Sequence, residues 1–154
     1  MASQTAIPSR AGKYVTFQIS RHYYALEATR VRQVSPSREI LPYDHPLPIL
    51  RGVMVVRGRR VPIVDIRDRL GIKTGPSRPN CSVLLVELSG IDGLPMLGFL
   101  ADKMTDVVSF TERDFRERVI QQRPNGRPYG RPKTLLMVEA LFSEEELFEL
   151  KSIF

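Results

Sequence analysis

Gly52-Val53-Met54-Val55-Val56-Arg57-Gly58-Arg59-Arg60-Val61-Pro62-Ile63-Val64-Asp65 is the stretch on which the reading of the fold turns. Two runs rich in β-branched and aliphatic residues flank Arg57-Gly58-Arg59-Arg60, and such side chains favour strands. Glycine reaches positive φ without steric penalty, so Gly58 lets the chain reverse in a tight hairpin. Proline has no N–H for a ladder, which places Pro62 at a sheet edge or a bulge. Asp65 reads as the cap of a short helix over Ile66 to Leu70, with Gly71 as its stop.

The same logic extends outward. Tyr14-Val15-Thr16-Phe17-Gln18-Ile19 alternates apolar and polar side chains, the period of a half-buried strand. Ser20-Arg21 turns it into a second strand, His22 to Leu26. Segment 28–34 reads as a short helical turn running into a strand, because Val31 and Val34 sit three apart. Pro36, Pro42, Pro46 and Pro48 make residues 36–48 irregular. Beyond a Pro/Gly/Ser linker at 73–80, Cys81 to Leu88 reads as a buried strand and Pro95 to Ala101 as its return. Met104 to Phe110 and Leu135 to Val138 follow as strands. Ser143-Glu144-Glu145-Glu146 is a capping box, opening a helix whose Leu147, Leu150 and Phe154 share a face. Many short strands with regular turns predict an all-β barrel fold with minor helix. There is also a faint echo at an offset of 73: Arg30-Val31 with Val34, and Lys103-Met104 with Val107.

A chain of 154 residues suits one domain or two small lobes on a shared core. Its single thiol, Cys81, forms no internal disulfide. No apolar run is long enough to span a membrane, and the first residues lack the apolar segment of a secretory signal. The net charge is +6, and arginine supplies 18 of the 23 basic residues. Residues 51–78 and 113–133 concentrate that charge, while 139–154 reverses it with five glutamates against one lysine. A basic surface draws acidic partners of any kind, nucleic acid included.

Catalysis finds little support. Neither His22 nor His45 lies in a metal-ligand spacing with Cys81 or a carboxylate. No glycine-rich phosphate loop is present. Asp65 and Asp102 read as a cap and a turn residue rather than an acid–base pair. What remains is binding. Arg57 closes an apolar strand just before the turn glycine, where a guanidinium can grip a carboxylate with two hydrogen bonds.

The run Arg51 to Gly71 closely resembles the signature segment of CheW-like domains. That signature places Arg-Gly before an aliphatic-Pro-aliphatic-aliphatic-Asp run. Phe17 with Tyr24-Ala25-Leu26, the step Val31-Arg32-Gln33-Val34, and Leu97-Gly98-Phe99-Leu100-Ala101-Asp102-Lys103-Met104-Thr105-Asp106-Val107-Val108 are similar to further family motifs. All four stand in the family's order. The resemblance implies two SH3-like five-stranded β-barrel lobes on a shared apolar core, plus a C-terminal helix. It divides the chain into a disordered tail over 1–12, a domain over 13–142 and a docking helix over 143–154. Lobe one would lie mainly in 13–72 and lobe two mainly in 81–138, with strand exchange between them allowed. The implied role is a non-catalytic cytoplasmic adaptor without cofactor or metal. Its implied partners are the regulatory domain of a CheA-type histidine kinase and the cytoplasmic tip of methyl-accepting chemoreceptors. By position, Val31, Val34 and Arg57 resemble the receptor-binding residues, whereas the kinase surface does not transfer. Val55 stands where the family often has Asn, and Met137 where it often has Asp or Asn, which marks a divergent member. The alternative is a basic small β-barrel that binds nucleic acid. Against it, the tyrosines and phenylalanines fall mainly in apparent core positions and are not interleaved with the basic stretches as stacking platforms would be.

Overall fold

The structure is a computed structural model that describes residues 11–73, 80–116, 119–120 and 133–154. Eleven strands occur in it: β1 Gly12–Ile19, β2 His22–Glu27, β3 Val31–Pro36, β4 Leu50–Val56, β5 Arg59–Val64, β6 Ser82–Glu87, β7 Met96–Ala101, β8 Lys103–Phe110, β9 Phe115–Arg116, β10 Val119–Ile120 and β11 Lys133–Leu135. The helix α1, Glu144–Ile153, follows them.

The strands form two sheets. The first is six-stranded, in the order β8-β1-β2-β11-β10-β9, and the second five-stranded, in the order β3-β6-β7-β5-β4. The second closes on itself through a bridge after β3. Leu41 N–H donates to the Val53 carbonyl at 2.8 Å, and Val53 N–H to that of Leu41 at 2.9 Å.

The lobes do not follow chain order. Strand β3 comes directly after the β1–β2 hairpin but pairs with β6, while β8 comes directly after the β6–β7 hairpin but pairs with β1. Each hairpin thus gives its next strand to the other sheet. The first sheet combines strands from both ends of the domain, and the second is built from its middle. Of the tail over 1–12, residues 1–10 lie outside the described residues, and Gly12 already opens β1.

The sequence echo has a structural basis. Val31 faces Val86 and Val34 faces Leu84, with a register shift that leaves Arg32 unpaired as a bulge. Met104 faces Phe17 and Val107 faces Val15, with Thr105 as the corresponding bulge. Residues three apart point to opposite faces of a regular strand, and one extra residue returns them to the same face. The spacing that suggested a helical turn over 28–34 belongs in part to this bulge. The turn itself is confined to Ala28–Arg30, a single 3-10 turn.

Three apolar clusters hold the fold. Met54, Val61, Ile63, Val83 and Leu85 fill the five-stranded lobe. Tyr14, Ala25, Phe110 and Leu135 fill the other. The largest lies between them: Phe17, Tyr24 and Leu26 of one sheet meet Val64, Leu84, Leu97 and Phe99 of the other, and Leu150 and Ile153 of α1 complete it. The helix opens with the capping box, Ser143 Oγ accepting from Glu146 N–H and Glu146 accepting from Ser143 N–H.

Two smaller expectations change. The apolar run Leu135 to Val138 is strand only at Leu135, and Val138 already starts a 3-10 turn that ends at Leu141. Pro62 sits on an interior strand rather than at an edge or bulge. Val53 spends its N–H on Leu41, so Pro62 opposite it points its nitrogen away from β4. The ladder to β7 begins one residue later, at Ile63, so no donor is missed.

Candidate partner-binding surface

The β4–β5 hairpin turns on two residues. Both have positive φ, 51° at Arg57 and 79° at Gly58. This is the turn whose twist matches that of paired strands, and it favours Asn, Asp or Gly at its first position. Arginine there carries a Cβ into the left-handed region, at a cost of about 1–2 kcal/mol. The side chain is exposed and makes no hydrogen bond, ion pair or ring contact with a described residue.

Val31 and Val34 lie on β3, at the opposite end of the strand order from β4. Because of the Arg32 bulge, both face the side of the sheet that packs on the central core. Val31 is half-buried against that core, whereas Val34 is 47% exposed. The Leu41–Val53 bridge joins the two edges of the sheet, so valines and arginine stand on neighbouring edges of one lobe. Leu41 at 49% and Val55 at 56% exposure are further exposed apolar side chains of this lobe. The sequence reading marked Val55 only as a departure from the family pattern and passed over Leu41. Period-2 alternation along β4 from the buried Val53 was the available signal for Val55.

Asp65 caps the turn that follows it, its Oδ1 accepting from the Arg67 backbone N–H two residues on, and does more than that. Arg67, which precedes the 3-10 turn over Asp68–Leu70, gives it no side-chain cap. Asp65 is buried and accepts hydrogen bonds from the Arg67 backbone N–H at 3.0 Å, the Arg67 guanidinium at 2.7 Å and Arg51 at 3.0 Å. Arg51 reaches it because Leu50 pairs with Val64 and Gly52 with Ile63, which leaves Arg51 as a bulge aimed along the strand. Burial alone would push this carboxyl up. The hydrogen bonds from the Arg67 side chain, its backbone and Arg51 outweigh it and hold the group at about 2, below the ordinary 3.8. Asp102 is likewise structural, its Oδ2 accepting Ser20 N–H of the β1–β2 turn at 2.6 Å.

A carboxyl held low in the folded state stabilises it fully above the unfolded value and loses that contribution as pH falls through the folded value. The wild type should thus lose on the order of 2 kcal/mol through Asp65 between about pH 4 and 2. Asp65→Asn should lack this component, yet be less stable at pH 7, because Arg67 then loses its main counter-charge. Urea unfolding at a series of pH values checks it. Parallel pH profiles in the two proteins would remove Asp65 from the account.

Most of the described arginines are engaged within the molecule. Arg30 pairs with Glu139, Arg32 with Glu87, Arg51 and Arg67 with Asp65, and Arg69 with Glu146. The Arg59 guanidinium lies 5.1 Å from the centre of the Phe154 ring and that of Arg60 5.5 Å from the Tyr43 ring. Among the described residues, no group of three or more His, Cys, Asp or Glu side chains could hold a metal ion. No helix there is long and apolar enough to cross a membrane.

Comparison with known proteins places this geometry in a family. The model of the CheW-like domain matches residues 13–146, and the chain belongs to that family. It is 22% identical over 102 residues to the chemotaxis protein CheW of Rhizobium meliloti (strain 1021), a match that covers 66% of this chain and 63% of that protein. With the chemotaxis protein CheW of Thermotoga maritima it shares 22% identity over 120 residues, covering 78% of this chain and 76% of the other. With the probable chemotaxis protein CheW of Rhizobium etli it shares 23% over 145 residues, covering 86% and 88%. The crystal structure of the scaffolding protein TtCheW from Thermoanaerobacter tengcongensis superposes with a TM-score of 0.68 at 18% identity, covering 86% of this chain and 93% of that one. That likeness establishes the fold: two SH3-like β lobes with a C-terminal helix.

Proposed function

We propose that the chain is a non-catalytic, cytoplasmic adaptor of chemosensory signalling. It joins the cytoplasmic tip of methyl-accepting receptors to the regulatory domain of a CheA-type histidine kinase. Membership of the CheW-like family over 13–146 supports the class. The observation that carries the site is Arg57, an exposed cation that pairs with no described residue, on a backbone that disfavours its side chain. Strain of this kind persists where a side chain serves something outside the fold.

In this reading, Val34, together with the exposed edge of Val31, offers apolar surface to a receptor helix. Arg57 takes a carboxylate or carbonyl on the same helix. An apolar strip with one arginine anchor is the usual composition of a helix-binding hot spot. Both lobes pack on one central core, and close-packed interiors pass displacement on instead of absorbing it. A receptor that shifts β3 or the hairpin therefore shifts whatever the kinase holds.

Titration calorimetry against the kinase regulatory domain and, separately, against a receptor-tip fragment from the same genome tests the reading. Saturable binding at micromolar dissociation constants, about 8 kcal/mol, is expected for both. Heat from neither partner, with the chain folded, would defeat the adaptor reading.

A further inference from the structure

The hairpin that carries Arg57 is tied to α1 by its next two residues. Arg59 and Arg60 leave β5 on opposite faces, as successive strand residues must, yet both end on the last turn of the helix. The Arg59 guanidinium covers the Phe154 ring, and Arg60 Nε donates to the Ile153 carbonyl at 3.3 Å. A second route closes the loop. Arg60 also covers Tyr43, the Tyr43 ring stacks on His45 at 6.4 Å, and His45 Nε2 lies 3.3 Å from a Glu149 carboxylate oxygen on the same helix. Strand β5, the irregular segment around 43–45 and α1 thus form one ring of contacts, with the Arg57–Gly58 turn projecting from it.

The turn needs such support. Val56 and Arg59 are its closing pair, and beyond them two consecutive residues hold left-handed backbone, the Arg57 side chain pairing with no described residue. A guanidinium on so short a lever is aimed by whatever fixes Arg59 and Arg60.

We infer that the last turn of α1 is a positioning element for Arg57. Seating of the helix end and partner binding at the hairpin tip are then coupled, each favouring the other by the same factor. This rests on the reading of Arg57 as a partner contact. Coupling of this kind is reciprocal and typically changes affinity by about 5- to 150-fold. Neither Phe154 nor Tyr43 touches the partner in this account.

The experiment titrates a soluble receptor-tip fragment into wild type, Arg57→Glu, Phe154→Ala, Phe154→Tyr and Phe148→Ala. In parallel, amide exchange is followed over residues 147–153 of the wild type with and without the fragment. Phe154→Ala, Arg57 intact, should weaken binding about 5- to 20-fold. Phe154→Tyr keeps the ring and should bind as wild type. Phe148 is 68% exposed on the outer face of α1, and its removal should change nothing. Binding should slow exchange in the last turn of α1. Wild-type affinity in Phe154→Ala alongside lost binding in Arg57→Glu would overturn the coupling and leave the Arg57 reading intact. Full binding by Arg57→Glu would defeat both. A loss in Phe148→Ala would make the helix itself the contact surface and overturn the positioning role. Should Phe154→Ala fail to fold, the wild-type exchange decides: protection on binding supports the coupling, and unchanged rates overturn it.

Discussion

Gly52→Ala is expected to destabilise the fold by about 3–5 kcal/mol, summing left-handed strain and steric overlap. Its φ is +148°, where a side chain is strained in any surroundings, and the surroundings leave no room. A Cβ would lie 2.3 Å from the Leu41 carbonyl oxygen and 2.7 Å from Ile40 Cγ2. The obstacle at Leu41 is backbone, and that carbonyl is the one that accepts from Val53 to close the five-stranded lobe. Relief of the clash would open the closure. At Gly98 a Cβ would meet Ile63 Cδ1 at 2.5 Å and Leu85 Cδ2 at 2.8 Å, the ends of side chains with some freedom to move. Gly98→Ala should therefore cost less. Urea midpoints by circular dichroism rank the two, and a Gly52→Ala midpoint equal to that of wild type would show that the lobe does not close through Leu41.

Arg57→Glu should weaken receptor-tip binding by about 2–4 kcal/mol and leave thermal unfolding unchanged, since the side chain makes no hydrogen bond, ion pair or ring contact with a described residue. Arg57→Gly separates charge from backbone. Glycine relieves the left-handed strain and should raise stability by about 1 kcal/mol while binding is still lost. Both effects come from one calorimetric titration and one melt per variant. A Gly variant that binds normally would show that the guanidinium is idle. A Glu variant that unfolds would assign Arg57 to the fold instead.

What was readable in the sequence follows the range of the interaction. The hairpin over 52–65, the stop at Gly71 and the capping box at Ser143 each depend on residues a few positions apart, and each stands where the sequence puts it. The capping bond of Asp65 to the Arg67 N–H is local and legible, whereas Arg51 comes into its reach only through a bulge in β4. Sheet membership lay furthest from view. The parallel pairings of β11 with β2 and β5 with β7 join segments with no local signal for each other. Val31, Val34 and Arg57 came from resemblance to the family. The structure shows where they stand: one valine is partly buried on the core, and the other two residues face solvent.

The reciprocal gift of β3 and β8 has a consequence in time. As the chain leaves the ribosome, the β1–β2 hairpin forms early, but β8, which flanks it in the six-stranded sheet, comes some 90 residues later; Thr16 meets Thr105 across a separation of 89. The nascent first half thus holds an unfinished sheet whose open edge waits for a strand not yet made. The five-stranded sheet draws all its strands from the continuous segment 31–101, so the six-stranded sheet is the one that waits. Distant pairings of this kind slow folding, because loop closure must precede the contacts that reward it.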